Sequence, residues 1–187
     1  MAKQIYLVRH GETEWSANGR HTGRTDVPLT AAGTEQATAL APKLSSERFG
    51  LVLCSPLRRA RETGELAGFG AQLELCDDLH EWDYGDYEGL TTPQIRAVDP
   101  HWDLWRDGCP DGETPDQVGV RVDRVIERCR ASDGLVLLFA HGHLLRVLTA
   151  RWLAMEVAAG ARFQLAPSAV GVLGYERETE VIQRWNA

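Results

Sequence analysis

Short apolar runs recur along the chain, and two of them stop abruptly at a histidine and a glycine. Runs this short, rich in β-branched and aliphatic residues, predict buried strands rather than helices. The predicted strands are residues 5–8, 51–54, 72–75, 135–140, 169–175 and 181–185.

Between these runs, apolar residues recur at helical spacing. One helix follows Thr30, whose side chain can cap it, and residues 144–155 are apolar on most sides, as in a helix buried against a sheet. The clearest helix opens at Thr114 and Pro115, and its apolar face contains Val118, Val122, Val125, Ile126 and Cys129. Helices that alternate with strands predict an α/β sandwich.

Composition bounds the class of protein. A chain of 187 residues with 43% hydrophobic content can bury one core, so we expect a single domain over residues 1–187. No stretch approaches the ~20 apolar residues of a membrane span, and the first residues lack a signal peptide's apolar segment. We therefore expect a cytoplasmic protein without a membrane partner.

The four cysteines stand far apart with no Cys-x-x-Cys pair, which predicts free, mostly buried thiols.

The charge balance limits the partners. A net charge of -7 and the lack of a basic stripe argue against nucleic-acid binding, because nucleic-acid binders replace phosphate counterions with a positive surface. The cations are nearly all arginines. An acidic protein that acts on a small anion needs a local positive pocket. The sequence leaves the oligomeric state open.

Two predicted strands end in the same way. Residues 5–8 run into Arg9, His10 and Gly11, and residues 135–140 run into His141 and Gly142. Ligands of open α/β sheets sit beyond the carboxyl ends of the strands. If the two strands are parallel neighbours, their histidines meet at one edge of the sheet, whereas a solvated loop is the alternative for either stretch alone.

A third polar stretch follows residues 51–54. Ser55 is a plausible helix cap and Pro56 a first-turn proline, which places Arg58, Arg59 and Arg61 in the first turns of a helix. Cations at a helix N-terminus oppose its dipole, so an anion bound there would relieve the mismatch. A solvated charge run is the other interpretation.

The segment from residue 77 to residue 89 places acids and aromatics between glycines, with neither helix nor strand periodicity. Loops of this kind carry function disproportionately, and partial desolvation of a carboxylate flanked by Trp82 and Tyr84 would suit acid–base chemistry. An ordered surface loop is the other interpretation. Residues 102–112 predict a lid or a packed loop, in which Trp102 and Trp105 serve mainly in packing.

Taken together, these stretches resemble the histidine phosphatase superfamily, the phosphoglycerate-mutase-like proteins. The resemblance covers nearly the whole chain. It rests on Leu-Val-Arg-His-Gly-Glu-Thr at 7–13, Thr-Gly-x-Thr-Asp-x-Pro-Leu-Thr at 22–30, Ser-Pro-Leu-x-Arg-Ala at 55–60, Glu81 and Ala-His-Gly-His at 140–143. Residues 81–89, 102–109 and 139–146 look most like the sedoheptulose-bisphosphatase-type branch.

This resemblance implies a three-layer α/β/α sandwich with a mostly parallel mixed sheet. The short stretch between Glu81 and His141 leaves room for a small lid or cap formed from about residues 77–113, where the family's mutases carry a longer insertion.

The resemblance also implies the roles of the site residues. His10 is expected to be the nucleophile and Glu81 the general acid, with Arg9, Arg59 and His141 around the phosphoryl group. Substrate contacts are expected from Ser16, His21, Thr22, Tyr84 and Arg146. The family's mutases carry asparagine where this chain has the shorter Ser16. No metal and no cofactor are expected, and a metal pair at His141 and His143 is the alternative that we set aside.

The function implied is a phosphatase that hydrolyses small phosphate esters, sugar phosphates and bisphosphates among them, through a phosphohistidine. Two alternatives stay open at this point. One is a cofactor-dependent phosphoglycerate mutase, which needs the same residues. The other is a catalytically silent module that binds phosphate esters.

Overall fold

The computed structural model describes residues 4–187. The strands are β1 (Ile5–Arg9), β2 (Phe49–Cys54), β3 (Glu74–Leu75), β4 (Leu135–Ala140), β5 (Val170–Glu176) and β6 (Thr179–Arg184). The α-helices are α1 (Glu14–Ala17), α2 (Ala31–Thr38), α3 (Ala41–Leu44), α4 (Arg58–Leu66), α5 (Thr92–Val98), α6 (Leu104–Asp107), α7 (Pro115–Ala131) and α8 (Gly142–Trp152). Short 3₁₀ turns cover Gly70–Gln72, Asp77–Leu79, Gly85–Tyr87 and Val157–Arg162.

The six described strands form one mixed sheet in the order β3-β2-β4-β1-β5-β6. The first four run parallel, whereas β5 pairs antiparallel with β1 and β6 antiparallel with β5. In the β1–β4 register Arg9 lies opposite Ala140, so the residues that follow, His10 and His141, leave the sheet side by side. The sequence prediction that the two histidine strands are parallel neighbours is confirmed.

Two apolar clusters, one on each face of the sheet, define the three layers. Alternate residues of β4 point to opposite faces, so Val136 and Leu138 join one cluster and Leu137 and Phe139 the other. The first cluster packs under α7 and α8, and the second packs under α3 and α4. The predicted α/β/α sandwich with a mostly parallel sheet is confirmed.

The prediction for the start of α4 is wrong. The helix begins at Arg58 rather than at Pro56, and its N-cap residue, Leu57, offers no side-chain cap. The hydroxyl of Ser55 accepts the N–H of Leu57 at 3.3 Å and bonds His141, while Oδ1 of Asp26 accepts the N–H of Arg58 at 2.7 Å. The anion at this helix start is therefore a carboxylate of the protein itself.

Residues 77–113 contain 3₁₀ turns and the short helices α5 and α6, which connect β3 to α7. Trp102 is buried in the cluster on the α7 face and Trp105, partly buried, packs against the same cluster, which agrees with the packing role expected for these two tryptophans. That this segment acts as a lid stays a prediction.

The remaining composition-based expectations concern thiols and membranes. All four cysteines are free and buried. Within residues 4–187, every helix is too short or too polar to cross a bilayer.

Candidate active site

A cleft of about 180 Å³ opens beyond the carboxyl ends of β1 and β4. Eight of the ten predicted site residues line it: Arg9, His10, Ser16, His21, Thr22, Glu81, Tyr84 and Arg146. The other two, Arg59 and His141, are fully buried. Both lie beside His10, since Arg59 bonds His141 and the rings of His10 and His141 have their centroids 5.2 Å apart.

The imidazole of His10 is held by the next residue of the chain. Its Nδ1 lies 2.7 Å from the carbonyl oxygen of Gly11, inside the protein. A carbonyl oxygen only accepts, so Nδ1 carries the proton and Nε2 of the neutral ring keeps its lone pair. The backbone thus fixes the tautomer in which Nε2 can attack an electrophile.

The environment keeps this ring neutral. Burial lowers the pKa of His10 well below its usual 6.5, and the charges of Arg59 and Arg9 lower it further, while the hydrogen bond to Gly11 opposes them. Burial contributes more to this shift than either arginine.

Gly11 is required by a close approach. A Cβ there would lie 2.4 Å from the carbonyl oxygen of Gly33 in α2, and the N–H of Gly11 donates to the hydroxyl of Thr63 at 3.0 Å. The loop after β1 is therefore pressed against α2 and α4, and these contacts hold His10 in place.

Arg9 keeps most of its hydrogen-bonding capacity. One Nη1–H donates to the carbonyl oxygen of Leu165 at 2.7 Å, while the buried Nε has no partner among the described residues. A Cβ on Gly142 would lie 3.2 Å from that Nε, so a glycine here lets the guanidinium lie against the start of α8. Its Nη2 also has no partner among the described residues, so the guanidinium keeps terminal N–H groups with which to bind an anionic ligand at the cleft wall.

Arg59 has no exposed surface, and it ties the loop of residues 22–25 to the site. Its Nη2 donates to the carbonyl oxygens of Thr22 and Gly23, and its Nη1 donates to that of Thr25, all within 3.0 Å. Its Nε–H donates to Nδ1 of His141 at 3.2 Å. These four bonds leave one of the five guanidinium N–H groups uncommitted.

His141 is held between two partners. Because the guanidinium of Arg59 only donates, Nδ1 of His141 is the acceptor and its Nε2 carries the proton. That N–H donates to the hydroxyl of Ser55 at 2.7 Å. Burial, then the charge of Arg59, lowers the pKa of His141 well below 6.5, which keeps the ring neutral.

The carboxylate of Glu81 accepts three backbone N–H groups. Oε1 accepts from Trp82 at 3.0 Å and from Leu144 at 2.8 Å, and Oε2 accepts from His143 at 3.0 Å. Two of these donors lie in the first turn of α8, where the helix dipole favours negative charge. The loop glutamate predicted as the acid thus lies in the cleft wall with a fixed orientation.

Tyr84 is buried and pairs with a histidine that was not predicted as a site residue. Burial raises the pKa of Tyr84 well above 10 and lowers that of His143 well below 6.5, so a protonated phenol donates to a neutral ring. The Tyr84 hydroxyl lies 2.5 Å from Nδ1 of His143, which leaves the proton of His143 on Nε2. His21 packs against the same pair, with its ring centroid 4.8 Å from that of Tyr84.

Ser16 and Thr22 use their hydroxyls locally. Ser16 Oγ accepts from the N–H of Thr13 and donates to its carbonyl oxygen, as part of the capping box of α1. Thr22 Oγ1 donates to the carbonyl oxygen of Arg20 at 3.2 Å. Both residues line the cleft, and their contacts with a substrate stay a prediction.

Arg146 points back to the cleft from α8. It donates to the carbonyl oxygens of Gly160 and Ala161, at 3.0 and 2.9 Å, and its guanidinium lies 4.6 Å from the centroid of the Trp105 ring. Its contacts among the described residues are these two carbonyls and the Trp105 ring, so no carboxylate pairs with its charge in the cleft wall.

Sequence reasoning missed several residues of the wall. They are Gly19, Arg20, Gly142, His143 and Leu165. His143 was considered only as half of a metal pair, although its position after His141 and Gly142 was a usable signal. In the structure His141 and His143 turn to different partners, and residues 4–187 hold no group of three or more candidate ligands arranged around a metal position.

Comparison with known proteins agrees with this geometry. The model of the histidine phosphatase superfamily (branch 1) matches residues 5–187. An acid phosphatase of Mycobacterium tuberculosis is 43% identical over 179 residues, which is 92% of this chain and 87% of that protein. The sedoheptulose 1,7-bisphosphatase of Saccharomyces cerevisiae is 38% identical over 84% of this chain and 70% of its own length.

Two further similarities widen the comparison. A probable phosphoglycerate mutase of Photorhabdus laumondii is 31% identical over 97% of this chain and 89% of its own length. The crystal structure of an open-reading-frame product of Mycobacterium tuberculosis superposes with a TM-score of 0.91 at 39% identity, covering 98% of this chain and 97% of the other. With a family match over nearly its whole length, the chain belongs to the histidine phosphatase superfamily and is an enzyme of the phosphatase type.

Proposed function

We propose that this phosphatase hydrolyses small phosphate esters, sugar phosphates and bisphosphates in particular, through a phosphohistidine on Nε2 of His10. The observation that carries the proposal is the hydrogen bond from Nδ1 of His10 to the Gly11 carbonyl. It leaves an unprotonated Nε2 in a cleft whose wall also contains a guanidinium with uncommitted N–H groups, that of Arg9.

In the first step Nε2 of His10 attacks phosphorus in line with the ester oxygen. The new N–P bond forms as the P–O bond to the leaving group breaks, and the carboxyl group of Glu81 gives its proton to the departing oxygen. Arg9 and the one uncommitted N–H of Arg59 stabilise the charge on the equatorial phosphoryl oxygens.

In the second step water attacks the phosphohistidine. The Glu81 carboxylate accepts a proton from that water, the N–P bond breaks, and inorganic phosphate leaves. Glu81 is then protonated again, and Nε2 of His10 is free for the next ester.

The outer part of the cleft supports this substrate class. Arg146 brings a partly buried cation without a carboxylate partner, and the exposed Arg20 lines the same wall. A second anionic group on the substrate would pair with these cations. A sugar bisphosphate has such a group, and the name of the yeast relative supports this class.

The test measures phosphate release across a panel of metabolite-sized esters, including sugar bisphosphates, with His10→Ala as the blank. Labelled substrate quenched during turnover should leave an acid-labile phosphoryl group on the unchanged enzyme and none on His10→Ala. The exposed His101 supplies the matched control, since His101→Ala should keep both phosphate release and labelling. Wild-type activity in His10→Ala would contradict the proposal.

A phosphoglycerate mutase is the second candidate, favoured by the relatives that carry this name. It would use the same first step and return the phosphoryl group to the bound intermediate instead of to water. Turnover with 2,3-bisphosphoglycerate in the absence of phosphate release would establish the mutase. Steady phosphate release that does not depend on this compound would support the phosphatase.

A further inference from the structure

Arg121 is a buried cation on the inward side of α7, among the apolar residues of that helix. Only 6% of its surface is exposed. It donates five hydrogen bonds, two of them to the carboxylate of Glu113 and three to the backbone carbonyls of Asp78, His80 and Glu81. A guanidinium has five N–H groups, so every one of them has a partner.

Glu113, the ion-pair partner of Arg121, binds the same loop from its other side. Its Oε2 accepts the N–H of Asp83 at 2.9 Å, and its backbone carbonyl accepts the indole N–H of Trp82 at 2.9 Å. The two residues therefore contact the chain both before and after Glu81.

The loop that they hold has little support of its own. Apart from the 3₁₀ turn at Asp77–Leu79, residues 77–83 are irregular, so no strand ladder or helix fixes their backbone. The carbonyl of Glu81 is bonded by Arg121 at 3.1 Å, while its carboxylate is bonded by N–H groups of α8. Glu81 is thus held by α7 through its backbone carbonyl and by α8 through its carboxylate.

We infer that Arg121 and Glu113 are positioning residues for proton transfer by Glu81. The inference rests on the proposed role of Glu81 as the acid and adds the pair that holds it at the correct distance from the leaving oxygen. Displacement of a reacting group by about 1 Å can cost ~10²-fold in rate, and neither Arg121 nor Glu113 lines the cleft. Their effect therefore acts through the geometry of the loop.

The experiment compares two esters of nearly the same shape. p-Nitrophenyl phosphate releases a stable anion that needs no proton, whereas benzyl phosphate releases an alkoxide that needs one. The ratio of kcat/KM for benzyl phosphate to that for p-nitrophenyl phosphate reports proton donation in the first step. Both rates come from one preparation, so a smaller folded fraction lowers them equally and cancels in the ratio.

We expect this ratio to fall at least about tenfold in both Arg121→Lys and Glu113→Gln. The lysine keeps the positive charge but cannot form the five hydrogen bonds of the guanidinium. The matched control is Arg124→Lys, one turn along α7, because exposed Arg124 bonds only the side chain of Asp78. Its ratio should equal that of the unchanged enzyme.

Each outcome has one meaning. A ratio that falls in Glu81→Gln but stays unchanged in both Arg121→Lys and Glu113→Gln would overturn the positioning role and leave the proposed function standing. A ratio unchanged in Glu81→Gln would overturn the acid role itself, and with it the basis of this inference. A fall in all three variants, with Arg124→Lys unchanged, supports both.

Discussion

Oε1 of Glu81 accepts the backbone N–H of Leu144 at 2.8 Å, which places the catalytic candidate's carboxylate at the beginning of α8. The same helix begins directly after β4 and His141. One strand end therefore positions His141 beside His10 and, through the first turn of the next helix, also holds the carboxylate of Glu81. Glu81 and Leu144, 63 residues apart in the chain, meet at this single junction.

The first prediction concerns Glu81→Gln. The amide keeps the shape of the side chain but has no proton to give to an alkoxide, so kcat/KM for an alkyl phosphate should fall by about 10²- to 10⁴-fold. Steady-state phosphate release measures it. Glu127→Gln, on the exposed side of α7, is the control and should match the unchanged enzyme. Equal rates for Glu81→Gln and the control would remove Glu81 from the mechanism.

The second prediction concerns the outer part of the cleft. Arg146→Met should lower kcat/KM about 10- to 100-fold for a sugar bisphosphate, because a hydrogen-bonded charge contact is worth about 1.5–3 kcal/mol. It should change hydrolysis of p-nitrophenyl phosphate little, since that ester lacks a second anion. Arg151→Met is the matched control, because Arg151 lies on the same helix and pairs with Asp123 instead. An equal loss on both esters would contradict a second anion subsite.

The third prediction follows from the buried histidines. Folding holds the pKa of His10 and of His141 well below the 6.5 of an unfolded histidine, mainly through burial. Below about pH 6.5 the unfolded state therefore binds more protons than the folded state, and stability falls as pH decreases. Each such histidine contributes a slope of up to about 1.4 kcal/mol per pH unit in this window.

Urea denaturation between about pH 7 and pH 5 measures that slope. The glutamine of His141→Gln can still accept from Arg59 and donate to Ser55, but it does not titrate. The slope of unfolding free energy against pH should therefore be smaller in this variant, by up to the amount that one titrating histidine contributes. His101→Gln, at an exposed position, should leave the slope unchanged. A slope in His141→Gln equal to that of the unchanged protein would show that His141 titrates normally.

The sequence predicted the strands well because their signal is local. Runs of aliphatic residues mark β1, β2 and β4 without reference to the rest of the chain, and the shared His-Gly endings of β1 and β4 pointed to one edge of the sheet. The resemblance to a known family then supplied the proposed nucleophile, His10, and the proposed acid, Glu81. Eight of its ten residues line the cleft, and the other two lie beside His10.

What the sequence did not reveal depends on partners far along the chain. Ser55 looks like a helix cap by local rules and does accept the N–H of Leu57, but its hydroxyl also bonds His141, 86 residues away. Arg121 falls among the helical positions of α7 as an ordinary cation, and its partners lie as far as 43 residues away. His143 is recognised as a site residue by its hydrogen bond with Tyr84. No periodicity in the sequence encodes such pairings.

The last prediction tests the contact that holds the loop after β1, which begins with His10. In Gly11→Ala the new methyl group would lie 2.4 Å from the carbonyl oxygen of Gly33, which belongs to a helix backbone and cannot move aside alone. We expect a loss of about 1–3 kcal/mol in the free energy of unfolding, measured with urea, because overpacking forces backbone shifts of this cost. The loop after β1 would shift with it, so labelling of His10 should also slow.

The control is Gly70→Ala, where the new Cβ would meet the flexible side chain of Glu65 at 3.4 Å, an ordinary contact. This variant should unfold at nearly the same urea concentration as the unchanged protein and label at the same rate. If Gly11→Ala behaved like Gly70→Ala in both measurements, the close approach of the β1 loop to α2 would not be what positions His10. A loss of stability with unchanged labelling would show that the small size of Gly11 matters for folding only. The orientation of His10 would then depend on its own hydrogen bond with the Gly11 carbonyl.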